Sequence, residues 1–172
     1  MGWVLDYSKP IYLIAEGGTL KEAVRILRKI GVEQIDGAFS PSEIKQAKLT
    51  TESYENVMPL DIASKIGNGE VTLIDVRSES EWNAGHIPQA DFRFLGHLPE
   101  QLDKISDSKL FVVHCQSGAR SAIATSLLQA AGKRVVNLVG GFVGWHRTGL
   151  PVTTAATEAC SVDAGDSCSY RI

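Results

Sequence analysis

A strand–helix–strand succession in the second half of the 172-residue chain limits its fold most sharply. "KLFVVHC" (109–115) and "RVVNLV" (134–139) are short apolar runs rich in β-branched residues, the signature of strands buried on both faces. Between them, "ARSAIATSLLQAAG" puts Ala122, Ile123, Ser126, Leu127 and Ala130 on one helical face, and Gly132 stands where a helix ends. Two strands joined by one helix pair compactly as parallel neighbours with a right-handed crossover. "VTLIDV" (71–76) reads as a third buried strand. Around these lie a helix over 59–67 opened by Pro59, a helix over 78–85, a short strand over 90–94 and a helical turn or two over 98–105. A last helix over 141–149 is stopped by Gly149 and Pro151. The alternation across 56–150 predicts an α/β domain with a parallel sheet and helices on both faces.

Composition narrows the function classes. Hydrophobic residues make up 44% and charged residues 22%, the range of a globular chain. The net charge is −3, and the Lys and Arg residues are scattered, so no basic stripe offers itself to nucleic acid. No stretch has signal-peptide or membrane-span length. Asp6 stands where a myristoylation signal needs Ser or Thr. Three cysteines (Cys115, Cys160 and Cys168), an odd count with no export signal, point to reduced thiols and a cytoplasmic location. The four histidines (His86, His97, His114 and His146) form no HxxEH or HEXXH pair, and there is no CxxC. No metal site and no cofactor are expected.

Residues 9–39, "KPIYLIAEGGTLKEAVRILRKIGVEQIDGAF", align with 109–142 through short gaps. Both read strand, polar turn, helix ending in glycine (Gly31, Gly132), apolar strand, then Gly and Phe. Ala15 falls where Cys115 sits. Residues 1–40 are therefore expected to be a partial second copy of the βαβ unit without its cysteine. Residues 41–55 read as a linker with one helical turn, and 151–172 as a flexible tail. Cys160 and Cys168 in that tail are open to three readings: sulfur acceptors, a mutual disulfide, or two exposed thiols.

The chemistry concentrates in "CQSGARS" (115–121). Cys115 ends a strand entering a parallel βαβ unit, the edge at which open α/β sheets hold ligands. Gln116, Ser117, Gly118 and Ala119 are neutral and mostly small, so the backbone can curl its N–H groups inward at a helix N-terminus. A free thiol titrates near ~8.5, and a helix-terminal one falls to about 7 or below. Arg120 adds a permanent positive charge. A lone cysteine after a strand is usually an inert core residue, but the Gly-bearing loop and the Arg at fixed spacing favour a nucleophile. Arg77 and Glu81, four apart after the "DV" strand end, are placed for an internal ion pair. With Asp75 and His86 they read as structural support. His114 alternates to the face opposite Cys115 and reads as a packed histidine. Trp82 and Trp145 read as core or rim aromatics.

Taken together these motifs resemble the rhodanese family of sulfurtransferases. "CQSGARS" is similar to the family's C-x4-R-[ST] loop, "LIDVRSESEWNAGHIPQA" (73–90) to its Asp-Val-Arg and Gly-His-Ile-Pro hallmark, and "VVNLVGGFVGW" (135–145) to its closing strand and helix. The resemblance covers about 56–150 and implies a rhodanese-like parallel sheet. It also implies a sulfane-sulfur carrier in which Cys115 becomes a persulfide. The main-chain amides of Gln116, Ser117, Gly118, Ala119 and Arg120 would cradle that anion, with Ser121 completing the site and Arg120 bracing the loop or meeting an anionic donor. The related phosphatase and arsenate reductase branch carries C-x5-R. Four residues between Cys115 and Arg120 make a tighter cradle, suited to one sulfur atom.

The implied donors are thiosulfate or a persulfide such as glutathione persulfide, and the neutral loop leans toward persulfides. The implied acceptors are a thiol or cyanide. "GWVLDYSKPIYLIA" with the helix and "GAF" resembles the degenerate unit found in fusions of metallo-β-lactamase and rhodanese domains. This implies a metallo-β-lactamase-fold protein as a partner, and an incomplete unit at 1–40 suggests a homodimer through those residues. The other functional reading is a rhodanese-like binding or redox-sensing module of a larger sulfur-oxidising assembly.

Overall fold

Strand pairing in the computed structural model, which describes residues 5–49, 52–106 and 108–154, produces two separate parallel sheets. The chain divides into two compact units between Ser53 and Tyr54.

The first unit is a single βαβ turn. β1 (Tyr12–Ile14) and β2 (Gly37–Phe39) pair in parallel, joined by α1 (Gly17–Lys29). Asp36 closes the unit, its carboxylate accepting from the Ile11 amide at 2.8 Å. The alignment of this unit with residues 109–142 needs correction at its end. "GAF" is itself the strand β2, whereas Gly140-Gly141-Phe142 lies beyond its strand, in a turn and the start of a helix. The shared letters do different backbone work. α2 (Pro41–Gln46) follows, opened by a capping box in which the Ser40 hydroxyl accepts from the Glu43 amide and Glu43 accepts from the Ser40 amide.

The second unit is a five-stranded parallel sheet in the order β3-β7-β6-β4-β5. Its strands are β3 (Glu55–Val57), β4 (Val71–Asp75), β5 (Asp91–Phe92), β6 (Leu110–His114) and β7 (Val135–Leu138). The apolar, β-branched β4 and β6 occupy the centre, as strands covered on both faces must. On one face Leu73, Val112, Val136 and Leu138 meet Ile62 and Ile66 of α3 (Pro59–Gly67) and Trp145 of α6 (Gly141–Arg147). α5 (Ala119–Ala130) packs on β6 and β7. α4 (Glu79–Ala84) follows β4, and the segment predicted helical over 98–105 is a 3-10 turn, Pro99–Lys104.

Three expectations shift. α5 buries Ser121, Ala124, Thr125 and Leu128, not the Ala122–Ile123–Ser126–Leu127–Ala130 face. Its many small residues give the helix too little amphipathic contrast for the buried side to be read off. The stretch expected to be a linker to residue 55 ends in strand β3, which carries one apolar side chain and escapes a hydrophobicity pattern because it is an edge. The start of the expected tail is tied down. Trp145 Nε1 donates to the Pro151 carbonyl at 2.8 Å, and Thr153 exchanges backbone bonds with His86 at 2.8 and 2.9 Å. Cys160 and Cys168 lie outside the described residues.

Candidate active site

Cys115 follows β6 directly, and the loop turns into α5 at Gly118, whose φ of +124° is open to glycine and strained for any other residue. That turn brings the Gly118 amide to 3.2 Å from Sγ. The thiol is 1% exposed. Burial alone would push it up. The amides of Ser121 and Gly118, the Ser121 hydroxyl and the Ser117 amide outweigh that burial and set it below its ordinary value. The cradle thus draws on Ser117, Gly118 and Ser121. Of the five expected amides, those of Gln116, Ala119 and Arg120 are not among the chief groups holding the sulfur down.

The loop is fixed from behind by α6. The Phe142 amide donates to the Cys115 carbonyl at 2.8 Å and the Val143 amide to the Gln116 carbonyl at 3.1 Å. This approach needs Gly141, where a Cβ would stand 2.3 Å from the Cys115 oxygen at a φ of +57°. The Gly140-Gly141 pair is the sequence signal for this contact, although by pattern it reads only as the end of the strand over 134–139.

The ion pairs are arranged differently from the expectation. Arg77 does not pair with Glu81. It turns back onto Asp75, with Nε and Nη2 bonds of 2.7 to 3.0 Å. Nη2 also donates to the Gly85 carbonyl at 2.8 Å, Nη1 donates to Gln116 Oε1 at 3.3 Å, and the guanidinium lies 4.1 Å over the Phe142 ring. Arg77 and Asp75 are both buried, so their close pairing within two residues avoids leaving either charge alone. Glu81 reaches Arg120 instead, through two bonds of 2.6 Å, and caps α4 by accepting from the Ser78 amide. Arg120 and the Ser78 cap hold the Glu81 carboxyl down to about 2 against the cost of burial. Arg120 thereby ties the start of α5 to α4, and its charge is matched by Glu81.

His114 is buried, with Nδ1 3.3 Å from the Cys115 carbonyl and Nε2 3.5 Å from Asp75 without a hydrogen bond. Burial holds it below its ordinary value by more than Asp75 raises it, which keeps it neutral. His86 is buried and stacks on Trp82 with ring centroids 3.6 Å apart. A cleft of about 320 Å³ opens beside the loop, lined by Arg77, Glu81, Ala84, Gly85, Gln116 and Phe142. Among the described residues no cluster of His, Cys, Asp and Glu is placed to hold a metal, and no helix is long and apolar enough to cross a membrane. The arrangement holds a buried thiol, its pKa lowered by peptide amides, in a loop beside a cleft, with two neighbouring guanidiniums each matched by a carboxylate.

Known proteins resemble this chain in sequence and fold. A sulfurtransferase of Allochromatium vinosum is 38% identical over 84 residues, spanning 48% of this chain and 78% of that protein. The thiosulfate sulfurtransferase GlpE of Actinobacillus pleuropneumoniae is 32% identical over 111 residues, spanning 61% of this chain and 98% of that one. The crystal structure of a rhodanese-related protein from Thermoplasma volcanium matches with a TM-score of 0.55 at 29% identity, covering 58% of this chain and 98% of its own. Residues 58–148, more than half of the chain, match the rhodanese-like domain, and the chain belongs to that family.

Proposed function

We propose that this protein is a sulfurtransferase that carries sulfane sulfur on Cys115. The Cys115 thiolate attacks the outer sulfur of a persulfide or of thiosulfate. The S–S bond of the donor breaks, its electron pair leaves with the thiolate or sulfite product, and Cys115 is left as a persulfide. An acceptor thiolate or cyanide then attacks the outer sulfur and releases the Cys115 thiolate. No net oxidation occurs. The observation that carries the reading is the loop itself: amides converge on a buried sulfur and lower its pKa where burial alone would raise it.

The relatives named as sulfurtransferases support the reaction class, and the Actinobacillus protein's name supports thiosulfate as one donor. The charge balance favours persulfides over the thiosulfate dianion, since Arg77 and Arg120 are both committed to carboxylates. Such chemistry needs reduced thiols, which fits a cytoplasmic setting.

Intact-mass measurement over a panel of donors tests it. Thiosulfate or glutathione persulfide should add one sulfur mass that cyanide removes and that Cys115→Ala does not acquire. Absence of the adduct with every donor would sink the proposal.

A further inference from the structure

The Ser121 hydroxyl lies between the Cys115 sulfur and two asparagines that the sulfur chemistry leaves unexplained. Cys115 Sγ donates to Ser121 Oγ at 3.7 Å, Ser121 Oγ donates to Asn137 Oδ1 at 2.7 Å, and Asn137 Nδ2 donates to Asn56 Oδ1 at 2.9 Å. Asn56 and Asn137 are direct partners in the parallel ladder of β3 and β7, so their side chains share one face of the sheet. Ser121 and Asn137 are buried, while Asn56 is exposed on the edge strand. A hydrogen-bonded chain thus runs from the sulfur to the solvent-facing edge of the sheet, and every link in it donates outward.

A hydroxyl has one hydrogen to give. While Ser121 gives it to Asn137, or to the Gly118 carbonyl at 3.0 Å, the sulfur meets oxygen lone pairs on the Ser121 side, which suits S–H and opposes S⁻. The Ser121 hydroxyl adds to the amides' stabilisation of the thiolate only when its hydrogen swings to the sulfur. Asn137 then serves Ser121 best by presenting its NH2 group, which ends its donation to Asn56. We propose that Asn137, oriented by Asn56, is a positioning residue that sets the direction of the Ser121 O–H and thereby how readily Cys115 gives up its proton. The proton passes to a base in solvent, and no covalent bond of Ser121, Asn137 or Asn56 changes. The proposal rests on Cys115 being the reacting thiol.

The other charged or titratable groups around Cys115 have partners or positions that do not involve Asn56. Arg120 of α5 is paired with Glu81 of α4, and Arg77 is paired with Asp75 of β4. His114 of β6 is buried and neutral. Glu55 of β3 alternates to the face opposite Asn56. His146 and Arg147 lie in the last turn of α6, away from the end that meets the loop.

The test is the pH dependence of Cys115 alkylation by iodoacetamide in the full chain, read at the Cys115 peptide by mass spectrometry. Asn56→Asp can only accept, so it locks the chain outward and should raise the midpoint by about half a unit or more, roughly a threefold loss of thiolate. Asn56→Ala releases Asn137 to turn and should lower the midpoint. Measurement in 1 M salt, where the Debye length is about 3 Å, removes most of the direct effect of the added carboxylate. Opposite shifts support the relay. Shifts of one sign, or none, overturn it. Should N56D not fold, the direction of the N56A shift decides alone. The sulfane adduct is scored separately, so opposite shifts without an adduct would keep the relay and sink the transfer reading.

Discussion

Arg120 and Glu81 join the two halves of the site, 39 residues apart in sequence, through paired bonds of 2.6 Å from Nη1 and Nη2 to different carboxylate oxygens. One side chain starts the helix after the cysteine loop, and the other caps the helix after β4.

That pairing makes part of the stability acid-labile. The Glu81 carboxyl is held at about 2 against an ordinary 4.5, so its contribution is complete above 4.5 and is lost as the pH falls toward 2. Glu81→Gln should cost about 1 kcal/mol near neutrality once solvent screening is allowed for. Thermal melts of the variant should also fall less steeply than wild type across that acid window. A variant as acid-sensitive as wild type would remove the pair from the account.

Alkylation of Cys115 should show a midpoint below the ~8.5 of a free thiol. The amides that lower it belong to the fold, so mild urea that loosens the loop before global unfolding should return the midpoint to ordinary values. A midpoint at or above that of a free thiol in the native protein would show that burial wins over the cradle.

Two glycines with positive φ should respond very differently to alanine. Gly141→Ala places a Cβ against the Cys115 carbonyl and should cost about 2–4 kcal/mol with a tenfold or greater loss of sulfur loading. Gly149 has a φ of +73° with open space around it, so Gly149→Ala should cost about 1 kcal/mol of strain and leave loading intact. Urea unfolding combined with single-turnover loading separates the two effects.

Arg77→Met strips the partner from buried Asp75 and should cost about 3–5 kcal/mol by urea unfolding. Pairing it with Asp75→Asn should recover a large part of that loss. If the double variant is no better than the single one, the burden lies in the Gly85 and Phe142 contacts.

The sequence was readable where one interaction dominates. Continuous β-branched runs placed β4 and β6, and Pro59 and Gly67 bounded α3 to the residue. The Cys115 loop was legible because glycine, a helix start and a spaced arginine each carry a separate physical constraint. The partners of Arg77, Glu81 and Arg120 were not legible, because spacing along the chain says little about which carboxylate the sheet brings opposite which guanidinium. Asn56 was hidden for the same reason. Its importance comes from the β3–β7 register, and three residues of an edge strand announce no register.

The first unit also joins a strand to a helix, with different dimensions. Two positions separate Ala15 from the start of α1 at Gly17, and four separate Cys115 from the start of α5 at Ala119. A single codon change at Ala15 would therefore install a thiol but no ring of amides to hold its charge. Building a reactive loop there would take an insertion as well as a substitution, so the two joints differ by a change of length that ordinary point mutation does not cross.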